Sequence, residues 1–392
     1  MAESYTYTAD DIVELDFLQG VRKRPGMYVG STDANGLHHL VCSMLEGVYS
    51  DARRGACRDF TLEVGAEGTI SIFSTGRFAP PVELAEMVQG RGLQYREPLG
   101  PEWSRDSMLR DVGWGVSLPI ALGLSSRYDV DTWDGARQWR LSGIEGRPVG
   151  KPREVQPAEP LPIVAEKGVR IRLVLDATLF ETTAVDAKVL SRRCREMAFL
   201  APGLRACFTD HRTGESTRLH YAGGISERLL ELIADVPRLH PEPLTFEAEW
   251  EDTRVRCALQ WCEGEECRVW SYDNTVRMDR HRRRAHVNAL FMALREALSD
   301  LSGKPAALIS RPRLARGLQA VIAADGADVD RLPLARQTME RLATDGLRNE
   351  VRDQLRPRVV EALRGHALMP WLVDHARARP RPAVVSRRRR RD

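Results

Sequence analysis

GVRKRPGMYVGSTDANGLHHLV, residues 20–41, is the stretch on which the reading of the chain turns. It closes one apolar-patterned segment, breaks at Pro25-Gly26 and opens a helix near Gly36 that runs on through CSMLEGVYSDARRGAC to Cys57. Leu37, Leu40, Val41, Met44, Leu45 and Val48 recur at helical spacing and predict one buried stripe. Ser43, Gly47 and Ser50 make a second stripe beside it, of unusually small residues. Upstream, Thr8 and Asp11 form a capping-box pattern, and Ile12, Leu15 and Leu18 follow at helical spacing.

Outward from this helix, FTLEV and TISIF alternate and are joined by GAEG, which predicts a β-hairpin ending in the turn STGRFAP. Residues 81–112 are rich in Gly, Arg and Pro and read as an irregular loop or lid. GWGVSLPIALGLS reads as a glycine turn feeding a helix. Strands are expected at RYDVDTW, RQWRLS and VRIRLVL, with a linker-like GRPVGKPREVQPAEPLP between the last two. From about residue 221 the texture changes. A helix at SERLLELIADV precedes strands LTFEAEWE, RVRCALQWCE and CRVWSYDN, a helix AHVNALFMALREALSDL, a strand near GLQAVIAA and long helices over 334–376. The simplest partition is two α+β domains, 1–220 and 221–376, with a disordered basic tail at 377–392.

Composition adds bounds. A chain of 392 residues with 43% hydrophobic content can build two or three cores. The net charge of +3 says little about partners, and the five lysines among so many arginines fit GC-rich coding. The start, MAESYTYTADD, lacks the basic flank and apolar run of a signal peptide, and no apolar stretch reaches spanning length. Seven scattered cysteines suit reduced thiols and a cytoplasmic location. Cys257, Cys262 and Cys267 recur every five residues, which fits strand residues and not the paired spacing of a zinc site.

GVRKRPGMYVGSTD followed by GLHHLV closely resembles the entrance to the ATPase region of the DNA gyrase B chain and its topoisomerase IV counterpart. Weaker matches follow in order, at SIFSTGRFAP, GWGVS, FLAPGLRACFTDHRTGESTRLHYAGGI, LQWCEG, GLQAVI and ARQTMERL. The resemblance runs from about Ser4 to about residue 375. It implies an α+β fold: a Bergerat-type (GHKL) ATP-binding sandwich with a mixed sheet and helices on one face, then a transducer domain. Relatives continue into a metal-binding cleavage domain, which this sequence is expected to lack.

The resemblance also says what the pocket should hold. Relatives carry a catalytic Glu on the first long helix and, four residues later, an Asn that ligates Mg²⁺. Aligned on GLHHLV, these become Ser43 and Gly47, with Asp51 a further pocket position. A serine hydroxyl does not ionise near neutral pH, and losing a general base costs about 10²–10⁴-fold in rate. Glycine offers no oxygen to a hard cation. The adenine-binding Asp of Asp-x-Gly-x-Gly becomes Ser74; Gly76, Arg77 and Pro80 persist, but Phe78 fills the second Gly. The supporting Thr of Thr-Gly-Thr becomes Val169. The phosphate loop keeps Gly113 and Gly115, with Arg110 and Asp111 beside them. The γ-phosphate lysine after Gln337 becomes Met339, leaving Arg336 as the nearest charge. Glu46 is the one nearby carboxylate that could stand in as base.

These losses predict a pseudo-ATPase with no intact catalytic residue and no cofactor, with ATP and Mg²⁺ implied only by family likeness. The alternatives are an active ATPase subunit of a type II DNA topoisomerase with a modified pocket, and a nucleotide-independent dimeric scaffold. Tyr5 resembles the arm tyrosine that relatives pass to a partner chain. It predicts a homodimer, or a heterodimer with a gyrase or topoisomerase subunit. Arg280, Arg282, Arg283 and Arg284 are candidate DNA contacts, or a solvated loop; Arg387–Arg391 would bind anions without preference. His38 and His39 read as structural. No membrane contact is expected.

Overall fold

The computed structural model describes residues 15–76, 80–88, 117–156, 166–250, 253–278, 285–326 and 345–376. The chain divides into two compact units, Met1–Gly224 and Ile225–Asp392.

The first unit is a nine-stranded mixed sheet with helices. In chain order its elements are α1 (Phe17–Lys23), α2 (Gly26–Val29), α3 (Ala34–Arg53), β1 (Asp59–Val64), β2 (Thr69–Thr75), α4 (Pro81–Val88), α5 (Ser117–Gly123), β3 (Ser125–Trp133), β4 (Gln138–Ile144), β5 (Arg147–Pro148), β6 (Arg153–Val155), β7 (Gly168–Leu175), α6 (Ala187–Leu200), β8 (Arg205–Asp210) and β9 (Glu215–His220). The sheet order is β5-β4-β3-β7-β2-β1-β8-β9, with β6 also pairing β4. Among the described residues β1 and β8 run parallel; the other pairs are antiparallel.

Alternation makes this sheet two-faced. Phe60, Leu62, Ile70, Ile72, Val130, Ile171 and Leu173 are buried on one face. The other face combines the stacked, buried Phe73 and Trp133 rings with a charge network, in which buried Asp131 accepts from Arg140 and Arg170 and Ser142 donates to Asp129. The opening helix forms as its pattern requires, with Leu37, Leu40, Val41, Met44, Leu45 and Val48 all buried. Each such side chain contributes about 1.5–3 kcal/mol.

Several expectations need correction. Leu15 lies outside the first described helix and is 37% exposed. That helix starts at Phe17, where Asp16 and Gln19 form a reciprocal capping box; the Thr8 pattern falls outside the described residues. The supposed loop after Pro80 opens as α4, whose Leu84 and Val88 are buried. The linker-like segment contains β5 and β6, which pair with β4 and escape pattern reading because they are so short. Helix α6, whose buried Leu190, Cys194 and Met197 keep helical spacing, and the β8–β9 hairpin are further elements that the sequence expectations left unassigned.

The second unit holds α7 (Gly224–Leu232), β10 (Leu244–Trp250), β11 (Thr253–Trp261), β12 (Arg268–Asp273), β13 (Val276–Met278), α8 (Ala285–Ser302), α9 (Arg311–Leu314), β14 (Leu318–Gly326), α10 (Asp345–Leu363) and α11 (Met369–His375). Its five-stranded sheet has the order β10-β11-β14-β12-β13. β12 and β14 are parallel, so α8 lies on the crossover a parallel pair needs. The core gathers Trp261, Leu290, Leu294, Ile322, Val351 and Leu355. The Trp261 indole donates to the Leu314 carbonyl at 3.1 Å, so its one polar side-chain atom is satisfied. No helix among the described residues is long and apolar enough to cross a membrane.

Candidate functional site

The site begins with the cap of α3. Asp33 accepts from the backbone N–H of Asn35 at 2.8 Å and Gly36 at 3.2 Å, and from the Ser31 hydroxyl at 2.5 Å. The Ser31 bond first, then these amides, hold the Asp33 carboxyl below its ordinary range. Gly36 has no room for a side chain: a Cβ there would lie 1.8 Å from the Ser31 carbonyl oxygen.

From this start α3 presents Ser43, Gly47 and Asp51 at i, i+4 and i+8, one face about 12 Å long. Ser43 turns inward on its own helix, donating to the His39 carbonyl at 2.8 Å. Asp51 is buried, and its backbone carbonyl accepts from Ala56 and Cys57 to close the turn after the helix. Glu46 lies on the neighbouring stripe with Cys42. Its carboxylate meets the Arg193 guanidinium of α6 at 3.3 Å, and Arg193 also lies 3.9 Å from Glu196. Burial raises the Cys42 thiol pKa, against the opposing effect of Arg193.

The turn places Cys57 against the end of β2. Its sulfur lies 3.4 Å from the Ser74 hydroxyl, which donates to the Thr75 carbonyl at 3.2 Å. Burial raises the Cys57 thiol pKa as well, so it is a neutral neighbour. Gly76 follows with φ of 113°, and a Cβ there would lie 1.8 Å from the Ala56 carbonyl oxygen. Its N–H donates to the Lys167 carbonyl, which ties β2 to the start of β7. Val169 of β7 is buried directly opposite Ser74. Pro80 supplies the carbonyl that accepts from Leu84 at the start of α4.

Asp51, Ser74, Gly76 and Val169 therefore meet around the turn after α3, and Ser43 and Gly47 continue the helix face leading to them. Tyr5, Arg77, Gly113, Gly115, Gln337, Met339, Arg280, Arg282, Arg283 and Arg284 lie outside the described residues. His38 is structural: its Nε2 accepts from the N–H of Asp186, which caps α6. Sequence reading missed Arg193, which reaches Glu46 from 147 positions away with no local signal. Among the described residues no His, Cys, Asp or Glu cluster could hold a metal ion.

A mixed sheet with the helix-borne stripe above the β2 end, followed by a second α+β unit, defines the GHKL ATPase-type fold joined to a transducer domain. No protein-family model matches the chain. The B-subunit of the DNA gyrase from Myxococcus xanthus, as a crystal structure, is 44% identical over 92% of this chain and 99% of that one, with a TM-score of 0.81. The chain belongs to the DNA gyrase B and topoisomerase IV B family. The DNA gyrase B chain of Haloferax volcanii is 30% identical over 70% of this chain and 43% of its own length. The DNA topoisomerase 4 B chain of Streptococcus pneumoniae is 28% identical over 87% of this chain and 55% of its own length. The chain thus spans about half the length of such relatives. The ATPase domain of Thermus thermophilus gyrase B, solved with an aminocoumarin, shares the fold at a TM-score of 0.74 and 21% identity.

Proposed function

We propose that this chain is a gyrase-B-like pseudo-ATPase that keeps the ATP-binding fold without its hydrolytic chemistry. It acts by binding DNA, a topoisomerase subunit, or both, as a regulator, decoy or protector. The observation that supports this most is the state of α3. Ser43 spends its hydroxyl on the His39 carbonyl, and Gly47 has no side chain. The carboxylate nearest in sequence, Glu46, is paired with Arg193.

Mg·ATP does not fit the side chains at these positions. Neither Ser43 nor Gly47 supplies a base or an oxygen ligand, and Val169 brings no hydroxyl to a purine. Pairing through the arm that holds Tyr5, and DNA contact through Arg280, Arg282, Arg283 and Arg284, belong to this proposal and rest on family likeness and local charge.

The test is calorimetry with Mg·ATP and phosphate release on the purified chain, with and without DNA. The reading expects no release above a protein-free control. Sustained turnover sinks it and makes the chain a working ATPase.

A further inference from the structure

Helix α8 of the second unit carries Asn288, Phe291 and Arg295 at i, i+3 and i+7, on one face. Arg311 of α9 lies across that face. Its Nη2 donates to the Asn288 side-chain oxygen at 3.0 Å, and its guanidinium carbon stands 4.5 Å from the centre of the Phe291 ring. Arg295 follows one turn on from Phe291, about 6 Å along the helix axis. Its Nη2 donates to the Ala306 carbonyl at 3.0 Å, which turns the side chain toward the short 3-10 turn Ala306–Leu308 leading into α9. Two guanidinium groups therefore share the corner between α8 and α9.

Neither has a carboxylate partner among the described residues. The two acids of α8, Glu296 and Asp300, meet Arg352 and Arg356 of α10. Glu265 pairs with Arg316, and Glu266 with Arg268. The sequence has no acid between Asp300 and Asp325. Desolvation first, then the charge of Arg295, lower the Arg311 pKa, opposed by Cys267. A guanidinium carries five N–H bonds. Among the described residues only Nη2 of each side chain has an acceptor, and the Arg295 Nε is buried without one. Like charges brought together without compensation repel, and the more so where water is partly excluded. An anion at this corner would offset that cost.

We propose that Arg295 and Arg311 form a binding site for a phosphate dianion, either inorganic phosphate or the phosphate of a small monoester. A guanidinium fork matches two oxygens of a phosphate with parallel N–H bonds, which a point charge such as lysine does not. The number of charges selects the class of ligand. A phosphomonoester carries about two negative charges near neutral pH and neutralises both arginines. A phosphodiester carries one and leaves one arginine uncompensated. Asn288 and Phe291 position Arg311, and the Ala306 carbonyl positions Arg295, so both forks are held before the anion arrives. All these residues belong to the second unit, so the proposal stands apart from the pseudo-ATPase reading.

The test is calorimetry and thermal shift on the full chain, with inorganic phosphate, glycerol phosphate and a short DNA duplex as separate probes at one ionic strength. Saturable binding of the first two is expected. Tighter binding of glycerol phosphate identifies a monoester as the source, and tighter binding of inorganic phosphate identifies the free ion. Arg295→Gln and Arg311→Gln should each weaken binding about tenfold or more, the loss of a charge-assisted hydrogen bond. Arg311→Lys, which keeps the charge without the fork, should weaken it less than Arg311→Gln. Arginines with a purely structural role would lower the melting temperature of the variants equally with and without phosphate. Here the phosphate-dependent rise in melting temperature should itself shrink. No saturable binding at millimolar phosphate overturns the proposal. So does a phosphate isotherm unchanged in both glutamine variants, or a loss of affinity in them for DNA alone.

Discussion

Glu46 and Arg193 form an ion pair between α3 and α6, with a carboxylate oxygen 3.3 Å from a guanidinium nitrogen. Arg193 is largely buried beside it, and Glu46 is about one-third exposed. The pair turns Glu46 toward α6, on a different stripe of α3 from Ser43 and Gly47. A carboxylate held this way ties the packing of α3 to α6.

Glu46→Gln should therefore leave phosphate release from Mg·ATP at the level of the parent protein. It should lower stability by about 0.5–1 kcal/mol, the usual range for a partly exposed pair. Urea denaturation and a phosphate assay read both quantities. A parent turnover abolished by this substitution would make Glu46 a relocated base.

Gly76→Ala should be among the most damaging changes of a single methyl group. The residue sits at φ of 113°, and the added carbon would meet the Ala56 carbonyl oxygen at 1.8 Å. Strain of this kind costs about 1–3 kcal/mol before the clash is relieved by backbone movement. A clear drop in melting temperature is expected; a shift within error would show that the turn adapts freely.

Arg22→Ala should cost about 2–3 kcal/mol. Arg22 meets Asp176 at 2.5 Å and also donates to the Gly123 carbonyl at 3.1 Å. It thus joins α1 to the end of α5 and the end of β7. Removing it leaves the nearly buried Asp176 carboxylate with only Thr178 bonded to it among the described residues. Double substitution with Asp176→Asn should recover part of the loss in urea melts.

The second unit should lose stability on mild acidification through His240. Its Nδ1 donates to the Glu242 carbonyl at 2.7 Å, and its Nε2 accepts from the Trp261 N–H at 3.1 Å. Burial is the main cause that lowers its pKa below 6.5, helped by His366 and Arg238 and opposed by the Glu242 bond. The unfolded chain then binds the proton more readily than the folded one. The contribution is full above about pH 6.5 and declines as pH falls from there toward the folded value. Unfolding free energy measured from about pH 7.5 to about pH 5 should show this slope, and His240→Gln should flatten it.

Local patterns decided much of this protein. The stripe from Leu37 to Val48, the GAEG hairpin and the alternating strands of both units are readable because burial on one face imposes periods of about 3.6 and 2. Ser43, Gly47, Ser74 and Val169, the expected pocket positions, are likewise read along the chain, since each expectation concerns the side-chain chemistry at one position. Other features had no such trace. β5 and β6 are too short to show a period. The parallel pairing of β1 with β8 joins Asp59 to Arg205, 146 positions apart. The same holds for Glu46 facing Arg193. Sequence spacing reports which residues share a face of one element; only the packing of elements decides which faces meet, because those contacts form between segments whose separation along the chain leaves no periodic signal.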